Sequence, residues 1–106
     1  VYRVFGDGGE LLYIGIAMNV FERMKGHRHE ALWWPAALTG QVDRYSDRRT
    51  AKTVESRAIR SESPKHNVAA DRAPYPDDAV LAEPIETLTL FWQGGRVWVN
   101  DGEEEG

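Results

Sequence analysis

The chain has no cysteine. That excludes disulfide bonds, thiolate metal sites and a cysteine nucleophile. No apolar run approaches the roughly 20 residues that a membrane-crossing helix needs. The first residues show no basic-then-apolar pattern of a secretory signal, so a cytoplasmic location is the default expectation. What remains is the composition of a soluble globular domain: 106 residues, 42% hydrophobic and 28% charged. A chain of this size builds one modest core.

The net charge of −4 argues against a polyanion partner only until it is divided along the chain. Residues 1–72 hold 12 of the 13 Lys/Arg and 9 of the 17 Asp/Glu, a net of +3, whereas residues 73–106 carry a net of −7. The basic part is where a nucleic acid can bind. Glu103, Glu104 and Glu105 read as a solvated acidic tail over 101–106.

The local patterns predict alternating strands and helices. Residues 1–5 and 11–16 read as two strands joined by the Gly6-Asp7-Gly8-Gly9 turn. Asn19 is placed to cap a helix from Val20 to about Glu30. Pro35 sets an extended or turn segment. Thr39-Gly40 reads as a turn before a short strand over 41–45. Ser46 or Asp47 caps a second helix to about Arg60, with Ala51, Val54, Ala58 and Ile59 inward and Ser63-Pro64 as its stop. Pro74, Pro76 and Pro84 mark residues 71–85 as a linker. Residues 86–92 and 97–99 then form a second hairpin about Gly94-Gly95. The expected organisation is a core over 1–70, the linker over 71–85, a hairpin packed on the core over 86–100, and the tail.

One ordered set of residues carries chemistry: Val1-Tyr2, Tyr13-Ile14-Gly15, Arg23, His27 four residues later, Glu55 on the second helix, and Pro64-Lys65-His66-Asn67. In this order the set resembles the GIY-YIG nuclease family over about two thirds of the chain. Val1 stands in the isoleucine slot of the first signature. Ile16 stands where some members carry a lysine. The resemblance implies an α/β fold, a small and mainly antiparallel sheet flanked by helices, here with an extra C-terminal hairpin. It also implies a metal-dependent endonuclease acting on DNA, with Tyr2, Tyr13, Arg23, His27, Glu55 and Asn67 in the site and Mg²⁺ or Mn²⁺ held by Glu55.

The residue types suit that chemistry. Phosphodiester hydrolysis needs an activated water, a counter-charge for the phosphate and help for the leaving oxygen. A single carboxylate, Glu55, can hold a Mg²⁺ that keeps most of its water ligands. Arg23 offers a planar, permanent charge for phosphate, and on a helix it shares a face with His27. Tyr2 and Tyr13 on adjacent strands can converge on one sheet face. Nearby cations are expected to lower a tyrosine pKa from its usual ~10 and make it a base. Whether Tyr2, Tyr13 or His27 is that base stays open. Asn67 either orders the site or ties down a loop.

The other features have plainer readings. His27 and His29, two apart on a helix, point in different directions and do not suit zinc. Trp33 and Trp34 fit core packing better than base stacking. Arg44, Arg48, Arg49, Lys52, Arg57 and Arg60 form a basic run that is either a solvated helix surface or a set of phosphate contacts. Two rivals to the nuclease follow. One is a non-catalytic nucleic-acid binder on the same scaffold. The other is a protein-interaction module that uses the C-terminal hairpin. A homodimer or a partner domain is a possible source of specificity, and no membrane partner is expected.

Overall fold

The computed structural model describes residues 1–67, 83–93 and 96–100. Among them the chain forms a small α/β fold: a five-stranded antiparallel sheet and two α-helices. The strands are β1 (Tyr2–Phe5), β2 (Leu11–Gly15), β3 (Thr39–Arg44), β4 (Glu86–Gln93) and β5 (Arg96–Asn100), in the order β2-β1-β3-β4-β5. Helix α1 (Val20–Glu30) joins β2 to β3, and α2 (Arg48–Glu62) follows β3. No helix among the described residues is long and apolar enough to cross a membrane.

Helix boundaries follow side-chain chemistry. The Asn19 side chain accepts a bond from Glu22 N–H at the start of α1, and Asp47 accepts one from Thr50 N–H at the start of α2. Each satisfies a backbone donor that the first helical turn leaves open. Of the two candidate caps for α2, Asp47 is the one used. Ser63, in the left-handed region at φ 51°, ends α2 before the buried Pro64.

The expected turn at Thr39-Gly40 is instead the start of β3. Gly40 survives inside a strand because nothing larger fits there. A Cβ would stand 2.8 Å from the Arg3 carbonyl and 2.9 Å from the Trp92 ring. A strand glycine of this kind marks a close approach by a neighbour, and here the neighbour is Trp92. β4 pairs with β3 from Thr39↔Phe91 to Arg44↔Glu86, so the C-terminal hairpin continues the sheet edge to edge. Its turn and most of the proposed linker and tail lie outside the described residues.

Strand alternation divides the core in two. Tyr2, Val4, Met24, Trp33, Val42 and Leu90 pack beneath α1. Val1, Ile14, Ala58 and Ile59 pack beneath α2, with Ala51 and Val54 partly buried against them. A register shift between Val4 and Phe5 leaves Leu12 as the extra residue of β2 and turns it into the α1 cluster.

Candidate active site

Four of the sequence-predicted residues come together on the α1 face. Tyr2 lies opposite Gly15, and Val4 lies opposite Tyr13. The two tyrosines therefore share one face of the β1–β2 hairpin, with ring centroids 6.0 Å apart. Helix α1 brings His27 down onto them. Its Nε2 is 2.7 Å from the Tyr2 hydroxyl, in a buried hydrogen bond, and its ring stands edge-on to Tyr13 at 5.1 Å. Arg23, one turn earlier and exposed, interacts with both tyrosine side chains.

Gly15 makes this crossing of rings possible. A Cβ there would overlap the hydroxyl end of Tyr2 and stand 2.9 Å from Tyr13 Cε2. The tyrosine–isoleucine–glycine run thus has a steric basis: the glycine leaves the space into which the Tyr2 phenol reaches. Trp33 closes the back of the cluster, stacked on Tyr13 at 5.3 Å and tilted against His27 at 4.8 Å. Sequence reasoning assigned Trp33 to the core, and it is buried. Its place against the site could not be read from the Trp-Trp-Pro run.

Burial sets the proton affinities. Desolvation, and then the neighbouring Tyr13, push the Tyr2 pKa far above its ordinary value, and the contact with Arg23 only partly offsets them. The expectation of a cation-lowered tyrosine pKa is therefore corrected at Tyr2, which is 1% exposed and remains a neutral phenol at physiological pH. Burial, and secondarily the Arg23 charge, lower the His27 pKa from 6.5 to about 4, so the imidazole is neutral there too. A neutral imidazole offers one nitrogen as an acceptor and the other as a donor. Desolvation works against the Arg23 charge, but the bond to Tyr2 and the nearby phenols raise its pKa overall.

Asn67 acts through the backbone. Its Oδ1 accepts from Ile14 N–H and its Nδ2 donates to Ile14 C=O, both at 2.8 Å. Lys65 N–H and His66 N–H bond the Leu11 and Leu12 carbonyls just before it. This segment lies along β2 and fixes the residue between Tyr13 and Gly15. Edge strands left open are prone to unwanted pairing, and Asn67 occupies part of this one.

Glu55 belongs to the α2 layer. Its carboxylate acts on the Val1 ammonium, whose pKa burial lowers while Asp43 and Glu55 pull upward. Val1 packs against α2 and Tyr2 against α1, so Glu55 approaches the end of β1 from the face opposite the tyrosines. Among the described residues no group of three or more His, Asp or Glu side chains could hold a metal.

The basic candidates are dispersed. Arg44 is bound to Glu86 across β3 and β4 at 2.8 Å. Arg48, Arg49, Lys52, Arg57 and Arg60 are all exposed on α2. At 3.6 residues per turn, Arg49, Arg57 and Arg60 lie on one side of α2 and Arg48 and Lys52 on the next.

A polar cluster that the sequence did not point to lies on the other face of β1 and β3. The Asp43 carboxylate accepts from Arg3 at 3.3 Å, from Gln41 at 3.0 Å and from Thr87 at 2.9 Å. Arg3 also grips Glu62 of α2 through two bonds of 3.0 and 2.8 Å. Comparison with protein-family models, curated proteins and solved structures returns no match.

Proposed function

We propose that the protein is a metal-dependent endonuclease that hydrolyses DNA phosphodiester bonds, with its centre at Tyr2, Tyr13, Arg23 and His27. The observation that carries this reading is the Tyr2–His27 hydrogen bond, set beneath Tyr13 and an exposed Arg23. The ordered motif resemblance supports it independently. A guanidinium at a solvent-facing rim is suited to a phosphate. A neutral imidazole bonded to a phenol offers that phenol an acceptor nitrogen and fixes its orientation.

The roles divide by burial. Arg23 holds the scissile phosphate. Tyr13, only half-buried, meets the attacking water. Tyr2 and His27, packed behind it, orient Tyr13, and Tyr2 relays the displaced proton by passing its own hydroxyl proton to His27 Nε2 as it accepts the new one. Asn67 fixes the strand that carries Tyr13. A single carboxylate, with substrate phosphate and water supplying the other ligands, fits the way Mg²⁺ is usually held; Glu55 would hold it from the α2 side, beside Val1 at the end of β1 and so at the margin of the tyrosine cluster, not within it. The ion, or Mn²⁺ in its place, supplies positive charge for the phosphate and the leaving oxygen.

Nicking of supercoiled plasmid with Mg²⁺ or Mn²⁺ tests the reading. Cleavage is expected in wild type, and is expected to be lost with EDTA, in Glu55→Gln and in Tyr13→Phe. Cleavage that survives Glu55→Gln and Tyr13→Phe overturns the assignment of roles. DNA binding with no cleavage, unaffected by Glu55→Gln, establishes the non-catalytic binder instead.

A further inference from the structure

Helix α1 has a second flank. Arg23 and His27 face the tyrosines, whereas Phe21, Lys25 and Arg28, at spacings of four and three, lie along another side. That side forms one wall of a groove of about 330 Å³, Arg96 and Trp98 of β5 line the other, and Trp34 also lines it. No carboxylate lines it among the described residues. Lys25 is 3.3 Å from Glu22. Arg28 and Arg96 come from opposite walls, and neither has an ion-pair partner among the described residues. Phe21 and Trp98 are 47% and 50% exposed and stand beside two guanidiniums that have no ion-pair partner among the described residues.

Flat rings between cations are complementary to a ligand that carries both flat rings and negative charge. We infer that this groove is a nucleotide subsite for unpaired single-stranded nucleic acid, with bases stacking on its aromatic lining and phosphates held by Arg28 and Arg96. Aromatic platforms flanked by cations bind single strands through base faces and backbone charge. A paired duplex keeps its base faces stacked and does not offer them. Helix α1 is about 10–12 Å across with its side chains, so one strand can touch both flanks. The subsite rests on the nuclease reading only in making the bound strand a substrate. Binding itself requires no cleavage.

Fluorescence anisotropy of the full chain with labelled oligothymidylate, and with a blunt duplex of equal phosphate count, tests this. Tighter binding of the single strand is expected in wild type. Phe21→Ala is expected to weaken single-strand binding about tenfold and leave duplex binding unchanged. The Arg28→Ala/Arg96→Ala double variant is expected to flatten the salt dependence for the single strand by about 1.4 in log–log slope, two contacts at about 0.7 each. Thermal melts by circular dichroism confirm that the variants are folded. Equal binding of single strand and duplex, folded variants that bind like wild type, or displacement by polyglutamate as effective as by unlabelled oligothymidylate each overturn the inference. Groove-dependent binding without plasmid nicking sinks the nuclease reading and leaves the subsite standing. Nicking that is intact while the groove variants bind single strands normally does the reverse.

Discussion

The two faces of the sheet are built from alternate residues of the same strands, yet they solve opposite problems. Toward α1, Tyr2, Val4, Val42 and Leu90 join Trp33 and Met24 in an aromatic and aliphatic layer. Its buried ionisable groups, Tyr2 and His27, are uncharged and bonded to each other. On the other face, Arg3, Gln41, Asp43 and Thr87 form a network around a buried carboxylate, tied to α2 by Glu62. The first face keeps its buried groups neutral by shifting proton affinities and leaves the Arg23 charge at its exposed rim. The second keeps charge and satisfies it with partners. Burial of an ionisable group forces one of these two outcomes, and this small domain uses both across a single layer of strands.

The strongest way to break the contrast is to remove the carboxylate at the centre of the second face. Asp43→Ala is expected to destabilise the fold by about 4 kcal/mol, because three donors lose one charged acceptor at once. Arg3 keeps Glu62, but the Gln41 amide and the Thr87 hydroxyl lose their acceptor. Urea unfolding monitored by tryptophan fluorescence measures the change. A loss below about 1 kcal/mol, typical of an exposed pair, would mean that water substitutes for Asp43 and that the face is wetter than its burial indicates.

The next effect belongs to the first face and is read by pH. His27 has a folded pKa of about 4 against 6.5 for the unfolded chain. The unfolded state therefore binds the proton more readily. The stability that His27 contributes as a neutral ring is full above pH 6.5, is lost as pH falls from 6.5 towards 4, and changes little below that. At 1.36 kcal/mol per pKa unit the loss reaches about 3 kcal/mol. His27→Gln retains a side chain able to bond the Tyr2 hydroxyl and removes the titration, so its stability should vary less across this window. An equally steep dependence in His27→Gln would assign the acid sensitivity to groups outside the α1 layer.

The sequence disclosed the parts of this arrangement that local chemistry controls. Asn19 and Asp47 announce the helices that they cap, and the spacing of Ala51, Val54, Ala58 and Ile59 identifies the inward side of α2. The hairpin put Tyr2 and Tyr13 on adjacent strands, where a shared face was open to them, and the register sets them on it. What stayed hidden depends on contacts far apart in the chain. Thr39-Gly40 looks like a turn until Trp92, more than 50 residues later, covers the glycine. The direction of the Tyr2 pKa shift needs its burial, which residue type and neighbours in sequence cannot supply. The Asp43 network draws on β1, β3, β4 and α2 together, and no motif marks it. Glu55 illustrates the same limit: helical spacing puts it near the buried stripe of α2, but only the packing of α2 sets it beside Val1.

The smallest effect sharpens the comparison by holding the chemistry constant and changing the exposure. Arg44 and Glu86 are paired at 2.8 Å, closer than Arg3 and Asp43 at 3.3 Å. Their side chains are 61% and 45% exposed, against 16% and 10% for the buried pair. If distance set the energy, the Arg44 pair would be the stronger of the two. Solvent screening and the entropy of holding two long side chains argue the other way. Arg44→Ala is expected to cost about 0.5 kcal/mol, and the cost should fade in high salt. Urea unfolding at low and high salt checks both statements. A salt-insensitive loss of more than 2 kcal/mol would show that the β3–β4 end is sealed from water. It would also mean that Arg44 is committed to Glu86 and withheld from any phosphate.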